Sequence, residues 1–326
     1  FPNYSGNFTD YTSDIDGYFN DRFAARRFAI KAERKIRGFW ENVEHSVYHG
    51  KEGWLFWSEP SIWESYQGRS GFTLQTRKDF ESVIEALKVR SDASGAAFAA
   101  TIVPNKSTIY PEYAPKRFGE KSPRNFLDYV MTRSDEAKLH LVNLKLLLLE
   151  QKSTSKLYYK TDTHWTSQGA FIAYKAMMTR LQRNNSEFEI LENNDVTFRA
   201  PVDFQGDLGR LSNSPVSETD RRLKPTDLGK FKVEKLEDDT VIDVYKTLIY
   251  RRETPRKYDG RTIVVIGDSF SLRYVDFFKA HFDRVIIMHH RLGDFDIDDV
   301  FAHDPDAVIF SPVERYSEQL ANTYNP

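Results

Sequence analysis

The 326-residue chain contains no cysteine. That absence excludes disulfides, thiolate metal sites and a cysteine nucleophile. It suits an extracytoplasmic bacterial protein without establishing that compartment. An excess of either charge is missing too: 46 Lys and Arg stand against 48 Asp and Glu, for a net charge of -2. Nucleic-acid binders select a strongly basic face, so nucleic acid is not expected as a partner. No run of about 18 apolar residues is present, so no membrane span is expected within the chain. No signal peptide opens it. The first residue is Phe1 rather than Met, which predicts a mature form whose leader or membrane anchor was removed. Apolar material is plentiful, at 40% hydrophobic and 14% aromatic residues, enough for one large core or two small ones.

Residues 1–17 are polar and aromatic with no period and read as an arm, whereas 18–40 have the apolar spacing of an amphipathic helix. HGKEGWLFW (49–57) reads as a turn and a short aromatic strand. Helices are expected over 76–94, from the spacing of Phe80, Val83, Ile84 and Leu87, and over 122–138. AAFAATIVPNK (96–106) reads as a buried strand ending in a Pro-Asn-Lys turn, and 140–150 as a strand running into a short helix. A helix over 167–181 has Ser167 as its expected N-cap. Residues 183–260 are polar and broken by Pro201, Pro215, Pro225 and Pro255, so they read as an irregular or β-rich insertion. Strand 262–266, helix 271–281, strand 284–290 and strand 306–312 close the chain. Strands alternating with helices predict a parallel, three-layer α/β sheet.

Two motifs carry chemistry. TIVVIGDSFSLRY (262–274) is an apolar strand ending in Gly267-Asp268-Ser269. A serine at a strand-to-helix turn stands at the carboxyl edge of the sheet, where α/β ligand sites form. Backbone N–H groups at the helix start after it can stabilise an oxyanion. YYKTDTHWTSQGA (158–170) places Asp162 two residues before His164. Asp162 can fix the imidazole so that its other nitrogen accepts the serine proton. A helix-capping serine and a satisfied turn histidine are the plainer alternatives. Weaker candidates surround these motifs. Asn105 and Lys106 follow a strand end and could line the cleft or support an oxyanion. Arg273 and Tyr274 could touch substrate, Arg210 could meet an anion or sugar carboxylate, and Trp165 could stack on a sugar ring. His289 and His290 point to opposite faces of a strand, so no metal site is expected there, and no cofactor is implied.

G-D-S-F after the strand, with T-D-T-H-W upstream, resembles the SGNH-hydrolase-like polysaccharide O-acetyltransferases of the AlgJ/AlgX type, with the peptidoglycan O-acetyltransferase PatB as a relative. GKEGWLF (50–56), TIVPNKSTIYP (101–111), GDLG (206–209) and PDAVIF (305–310) resemble further family segments in the same order. The resemblance runs from about residue 49 to about 316. It implies an SGNH-hydrolase-like three-layer sandwich with a central parallel sheet and permuted motif order, because His164 precedes Ser269. The implied division is an N-terminal arm and helix (1–48) and a catalytic domain (49–326) carrying the 183–260 insertion. The implied triad is Ser269 nucleophile, His164 base and Asp162 orienter. The implied function is acetyl transfer, through a serine ester, to hydroxyls of an extracytoplasmic polysaccharide such as alginate. Peptidoglycan O-acetyltransferase, polysaccharide acetylesterase and a non-catalytic carbohydrate-binding protein of an export complex are the alternatives. Implied partners are the polysaccharide acceptor, an acetyl donor of unknown identity, a membrane-bound O-acyltransferase and other export proteins. The implied location is periplasmic, with an anchor in a segment absent from this chain. The chain stops soon after the 306–312 strand, without the C-terminal carbohydrate-binding module of AlgX, so AlgJ-like architecture is expected. Arg210, Arg221, Arg222, Lys224 and Lys230 could supply charge for a polyanionic acceptor.

Overall fold

The run Thr262–Gly267 is buried along its whole length, as expected of a strand with sheet on both sides and helices on both faces. In the computed structural model the described residues are 47–135, 137–236, 247–254, 260–289 and 296–323. The helix expected over 18–40, the preceding arm and His290 lie outside them. The chain divides into two units, Phe1–Val47 and Tyr48–Pro326.

β1 (Val47–His49) and β2 (Leu55–Trp57) flank the Lys51–Gly53 turn. β3 (Ala97–Thr101) and β4 (Leu141–Val142) follow. The segment after residue 183 holds β5 (Val196–Phe198), β6 (Val202–Phe204), β7 (Glu218–Asp220), β8 (Leu223–Pro225), β9 (Phe231–Leu236) and β10 (Thr247–Arg252). β11 (Thr262–Gly267), β12 (Arg284–His289) and β13 (Ala307–Phe310) complete the set. Seven of them form one sheet in the order β4-β3-β13-β11-β12-β10-β9. The five strands from β4 to β12 are parallel, with Ile263 opposite both Ala307 and Val285. β10 and β9 join antiparallel to them. The sheet is therefore mostly parallel rather than wholly so. Of the two readings of the insertion the β-rich one holds: it supplies β9 and β10 and two small antiparallel pairs, β5–β8 and β6–β7. The antiparallel addition follows from composition. In β10, Thr247 and Ile249 are buried while Leu248 and Tyr250 are half-buried, the one-sided alternation that antiparallel edges tolerate.

Alternation along the central strands divides the core in two. Ile263, Val265, Ala307 and Ile309 face one side, with the helix Ser167–Gln182. Val264, Ile266, Val308 and Phe310 face the other, with Phe80, Val83, Ile84 and Leu87 of the helix Leu74–Ser94. This is the three-layer arrangement. Thr73 caps the Leu74–Ser94 helix through the Thr76 N–H (3.2 Å), and Gly95, at φ +78°, ends it in the left-handed conformation. The Ser167–Gln182 helix is capped by Thr166, not Ser167. Ser167 Oγ instead accepts the Leu223 N–H (2.7 Å), tying β8 to the helix start. The helix expected over 271–281 is a 3-10 turn, Ser269–Arg273, followed by one α-turn, Val275–Phe278.

Ile309 is fully buried in the middle of the sheet. Ile309→Ala should lower the unfolding free energy by about 2–5 kcal/mol, read from denaturant titration with an unchanged slope.

Candidate active site

Three loops meet at the carboxyl end of the parallel strands. The first is the turn after β11. Asp268 Oδ1 accepts the Phe270 N–H (2.9 Å), and Oδ2 accepts the Val313 N–H (2.8 Å), so one buried carboxylate joins the exits of β11 and β13. Gly267 permits the tight turn, since a Cβ there would lie 2.1 Å from Ser271 Oγ. Ser269 is left half-buried at the sheet edge. The Phe270 N–H and the Ser271 N–H both bond to Asp268, so the expected use of helix-start N–H groups for an oxyanion is not available to these two.

The second loop carries Asp162 and His164. It is closed by the bridge between Tyr158 and Trp165, and the Trp165 indole N–H donates to the Phe270 carbonyl (3.1 Å), tying it to the serine turn. His164 Nε2 lies 2.8 Å from Ser269 Oγ, and His164 Nδ1 lies 2.7 Å from Asp162 Oδ1. An ionised carboxylate only accepts, so Nδ1 carries the proton, and in the neutral ring Nε2 is left to accept from the serine hydroxyl. Asp162 Oδ1 also accepts the His164 backbone N–H (2.9 Å). Burial alone would raise the Asp162 carboxyl. The hydrogen bond and charge of His164, its backbone N–H and the Arg273 guanidinium outweigh burial and hold it well below the usual carboxylate range.

The third loop is the G-D-L-G segment at the start of the short helix Asp207–Leu211. The Asp207 N–H donates to Asp162 Oδ2 (3.1 Å), and Asp207 Oδ1 accepts the Thr163 N–H (2.7 Å). The Gly209 N–H donates to the Thr161 carbonyl (2.8 Å) and the Gly206 N–H to Thr161 Oγ1 (3.0 Å). A Cβ on Gly206 would lie 2.4 Å from the Asp162 Cβ, so this contact needs glycine. Glu218 adds a further clamp by accepting from the Thr161 N–H (2.8 Å) and the Thr161 hydroxyl (2.6 Å). Only Arg210 was expected to matter in this segment. Asp207, one residue past the first glycine, was legible in the motif, whereas nothing in the sequence marked Glu218.

The weaker candidates separate. Arg273 approaches the triad, with Nη2 3.9 Å from Asp162 Oδ2 and its guanidinium over the Tyr159 ring at 5.6 Å. Trp165 is fully buried, which removes it from sugar stacking. Tyr274 is buried as well, bonded to Ser311 Oγ (2.5 Å) and Ser271 Oγ (3.2 Å), and does not face substrate. Arg210 is exposed and turns back to donate to the Gln205 carbonyl (2.6 Å). Lys106 is buried rather than solvated. Its ammonium donates to the carbonyls of Asp162 (2.8 Å), Tyr159 (3.2 Å) and Lys160 (3.3 Å). Asn105 is buried, its backbone N–H bonded to Glu314 Oε2 (2.8 Å). Asp162, His164 and Asp207 offer ligand atoms within 4.8 Å of one another, but a cation there would displace the proton that joins His164 to Asp162.

Residues 47–296 match the model of the SGNH hydrolase-like domain of the acetyltransferase AlgX. The chain belongs to this family. It is 25% identical to the probable alginate O-acetylase AlgJ of Pseudomonas aeruginosa over 157 residues, 44% of this chain and 37% of that relative. The match thus spans little more than a third of the relative's length. The fold is similar to that of PatB1 from Bacillus cereus, with a TM-score of 0.59, 14% identity and coverage of 83% of this chain and 96% of that one. It is also similar to AlgX from Pseudomonas aeruginosa, with a TM-score of 0.50, 12% identity and coverage of 85% and 66%. The expected SGNH-hydrolase-like fold is thereby borne out.

Two measurements test this geometry. Gly206→Ala should push Asp162 away from the imidazole and cost about 1–3 kcal/mol of stability. The downfield proton resonance of His164 Nδ1–H should shift upfield or vanish, and an unchanged resonance would contradict the contact. Burial pushes the Lys106 ammonium down to about 7, against the pull of Asp207, Asp162 and Glu218. Between about pH 7 and 10.5 the folded state therefore holds fewer protons on Lys106 than the unfolded chain, and its contribution to stability rises with pH. The stability difference between wild type and Lys106→Met should climb across that window, by at most about 1.4 kcal/mol per pH unit.

Proposed function

We propose that the domain from about residue 49 onward is an O-acetyltransferase that moves an acetyl group through Ser269 to hydroxyls of an extracytoplasmic polysaccharide. The observation that carries this reading is the continuous chain Ser269 Oγ, His164 Nε2, His164 Nδ1, Asp162 Oδ1, with spacings of 2.8 Å and 2.7 Å at its two hydrogen bonds. Nucleophile, base and orienter stand in the order that acyl transfer requires. Family membership supports acetyl as the group moved.

In the first step Ser269 Oγ attacks the acetyl carbonyl while His164 Nε2 takes its proton. The tetrahedral intermediate collapses, the imidazolium returns the proton to the leaving group, and an acetyl ester on Ser269 remains. A sugar hydroxyl then gives its proton to Nε2 and attacks that ester. Collapse transfers acetyl to the sugar and restores the serine hydroxyl with the proton held by His164. Asp162 keeps Nδ1 protonated and stabilises the imidazolium in both steps. Arg273, whose guanidinium lies 3.9 Å from Asp162, is the proposed contact for the acceptor. Alginate is the acceptor that the similarity to alginate O-acetylase favours. A membrane-bound O-acyltransferase is the proposed source of acetyl groups, in a periplasmic setting. Among the described residues no helix is long and apolar enough to cross a membrane.

Ser269→Ala and His164→Ala should each lower turnover of an activated acetyl ester by about 10^4-fold or more, and Asp162→Asn by about 10^4-fold. Ser269→Ala retaining wild-type turnover would falsify the nucleophile assignment. Given acetyl donor and oligosaccharide together, mass spectrometry should find acetyl on the sugar. Acetate released to water alone would make the protein an esterase.

A further inference from the structure

Arg315 lies in the first turn of the closing helix, Glu314–Thr323, and is only 8% exposed. Among the described residues its guanidinium has one hydrogen-bond acceptor, Asn105 Oδ1 at 3.4 Å from Nη1, and its Nε has none. A guanidinium carries five N–H donors, and a buried charge without a partner is costly. The neighbouring Glu314 carboxylate is engaged elsewhere, with Oε2 accepting from the Asn105 N–H (2.8 Å) and the Thr108 hydroxyl (2.7 Å). The guanidinium carbon lies 4.8 Å and 5.3 Å from the centres of the Tyr316 and Phe270 rings, which offer it no hydrogen-bond acceptor of the ordinary kind. Hydrogen bonds form at its edge, and that edge is under-supplied.

Arg315, Asn105, Lys106, Thr163, Phe56 and Ile62 line a small pocket. Its volume of about 20 Å³ admits a single polar group and not a sugar ring. The Asn105 side-chain carbonyl already accepts from Arg315, so its amide N–H groups remain as donors. The pocket is linked to the Ser269–His164 pair through Thr163, which lines it, and through Phe270, whose ring lies 5.3 Å from the Arg315 guanidinium carbon. Thr163 stands between Asp162 and His164, and Phe270 follows Ser269 with its ring 4.8 Å from the imidazole.

We propose that Arg315 and Asn105 form a carboxylate-binding subsite beside the Ser269–His164 pair. A carboxylate is planar, singly charged and matched in its two oxygens to the guanidinium fork. The carboxylate has two possible sources, an acidic sugar of the acceptor chain or acetate released when water resolves the acyl-serine. Only this choice of source rests on the acetyl-transfer reading.

The test is a titration of the Ser269→Ala protein, which needs no turnover, with sodium acetate, an oligouronate and a neutral oligosaccharide of equal length. At least one carboxylate should bind, and Arg315→Met in the same background should weaken it at least 10-fold while leaving the neutral sugar unaffected. Binding of acetate assigns the subsite to the product. Binding of oligouronate without acetate assigns it to the acceptor. Arg315→Lys keeps the charge and loses the fork, so it should also bind the carboxylate more weakly than the parent, and it serves if the methionine variant does not fold. Carboxylate affinity equal in parent and variants, or no carboxylate binding at all, overturns the subsite. Failure of the acetyl-transfer reading shows separately, as absent ester turnover by the wild type.

Discussion

The Asp162 carboxylate is a charge almost wholly withdrawn from water, with its side chain 4% exposed. Such a group survives only if every lone pair it presents is answered by a donor. Three answers come as N–H groups, from the His164 backbone, the His164 ring and the Asp207 backbone, with Arg273 adding charge at 3.9 Å. Two of the three donors belong to the residue that Asp162 orients. The same interactions that make burial tolerable therefore fix the imidazole. The third donor explains why the G-D-L-G segment, more than 40 residues downstream, begins with a glycine that lets two backbones touch.

The serine side is rigid for a different reason. Asp268 joins β11 to the exit of β13 through two backbone N–H groups, so the turn holding Ser269 inherits the stiffness of the sheet centre. The imidazole side hangs on a loop, and that loop needs clamps. Lys106 grips three of its carbonyls from beneath, and Glu218 grips two donors of Thr161 from the side. Three acceptors around one nitrogen match the three N–H groups of an ammonium.

Much of this was readable in the sequence because the informative signals were local. The continuous apolar run of β11 announced a central parallel strand, and the spacing of Phe80, Val83, Ile84 and Leu87 announced a one-faced helix. The two-residue interval from Asp162 to His164 brought the carboxylate within reach of the ring. Signals that depend on what lies across the fold were not readable. A lysine after Pro-Asn looks solvated until three carbonyls close over it. Trp165 and Tyr274 look like substrate contacts until neighbouring elements bury them. The insertion was readable as β-rich, but β9 and β10 could not be located in it because short charged strands show little periodicity. The helix expected over 271–281 shrank because Tyr274, pinned by Ser271 and Ser311, ends the first turn at Arg273.

Ser269 and His164 stand 105 residues apart along the chain, and β12 and β13, which flank the serine turn, come later still. A nascent or partly unfolded polypeptide thus holds an ordinary alcohol and an ordinary imidazole with no means of cooperating. The hydroxyl and the imidazole come within hydrogen-bond distance only in the completed tertiary structure, in which β13 lies beside β11.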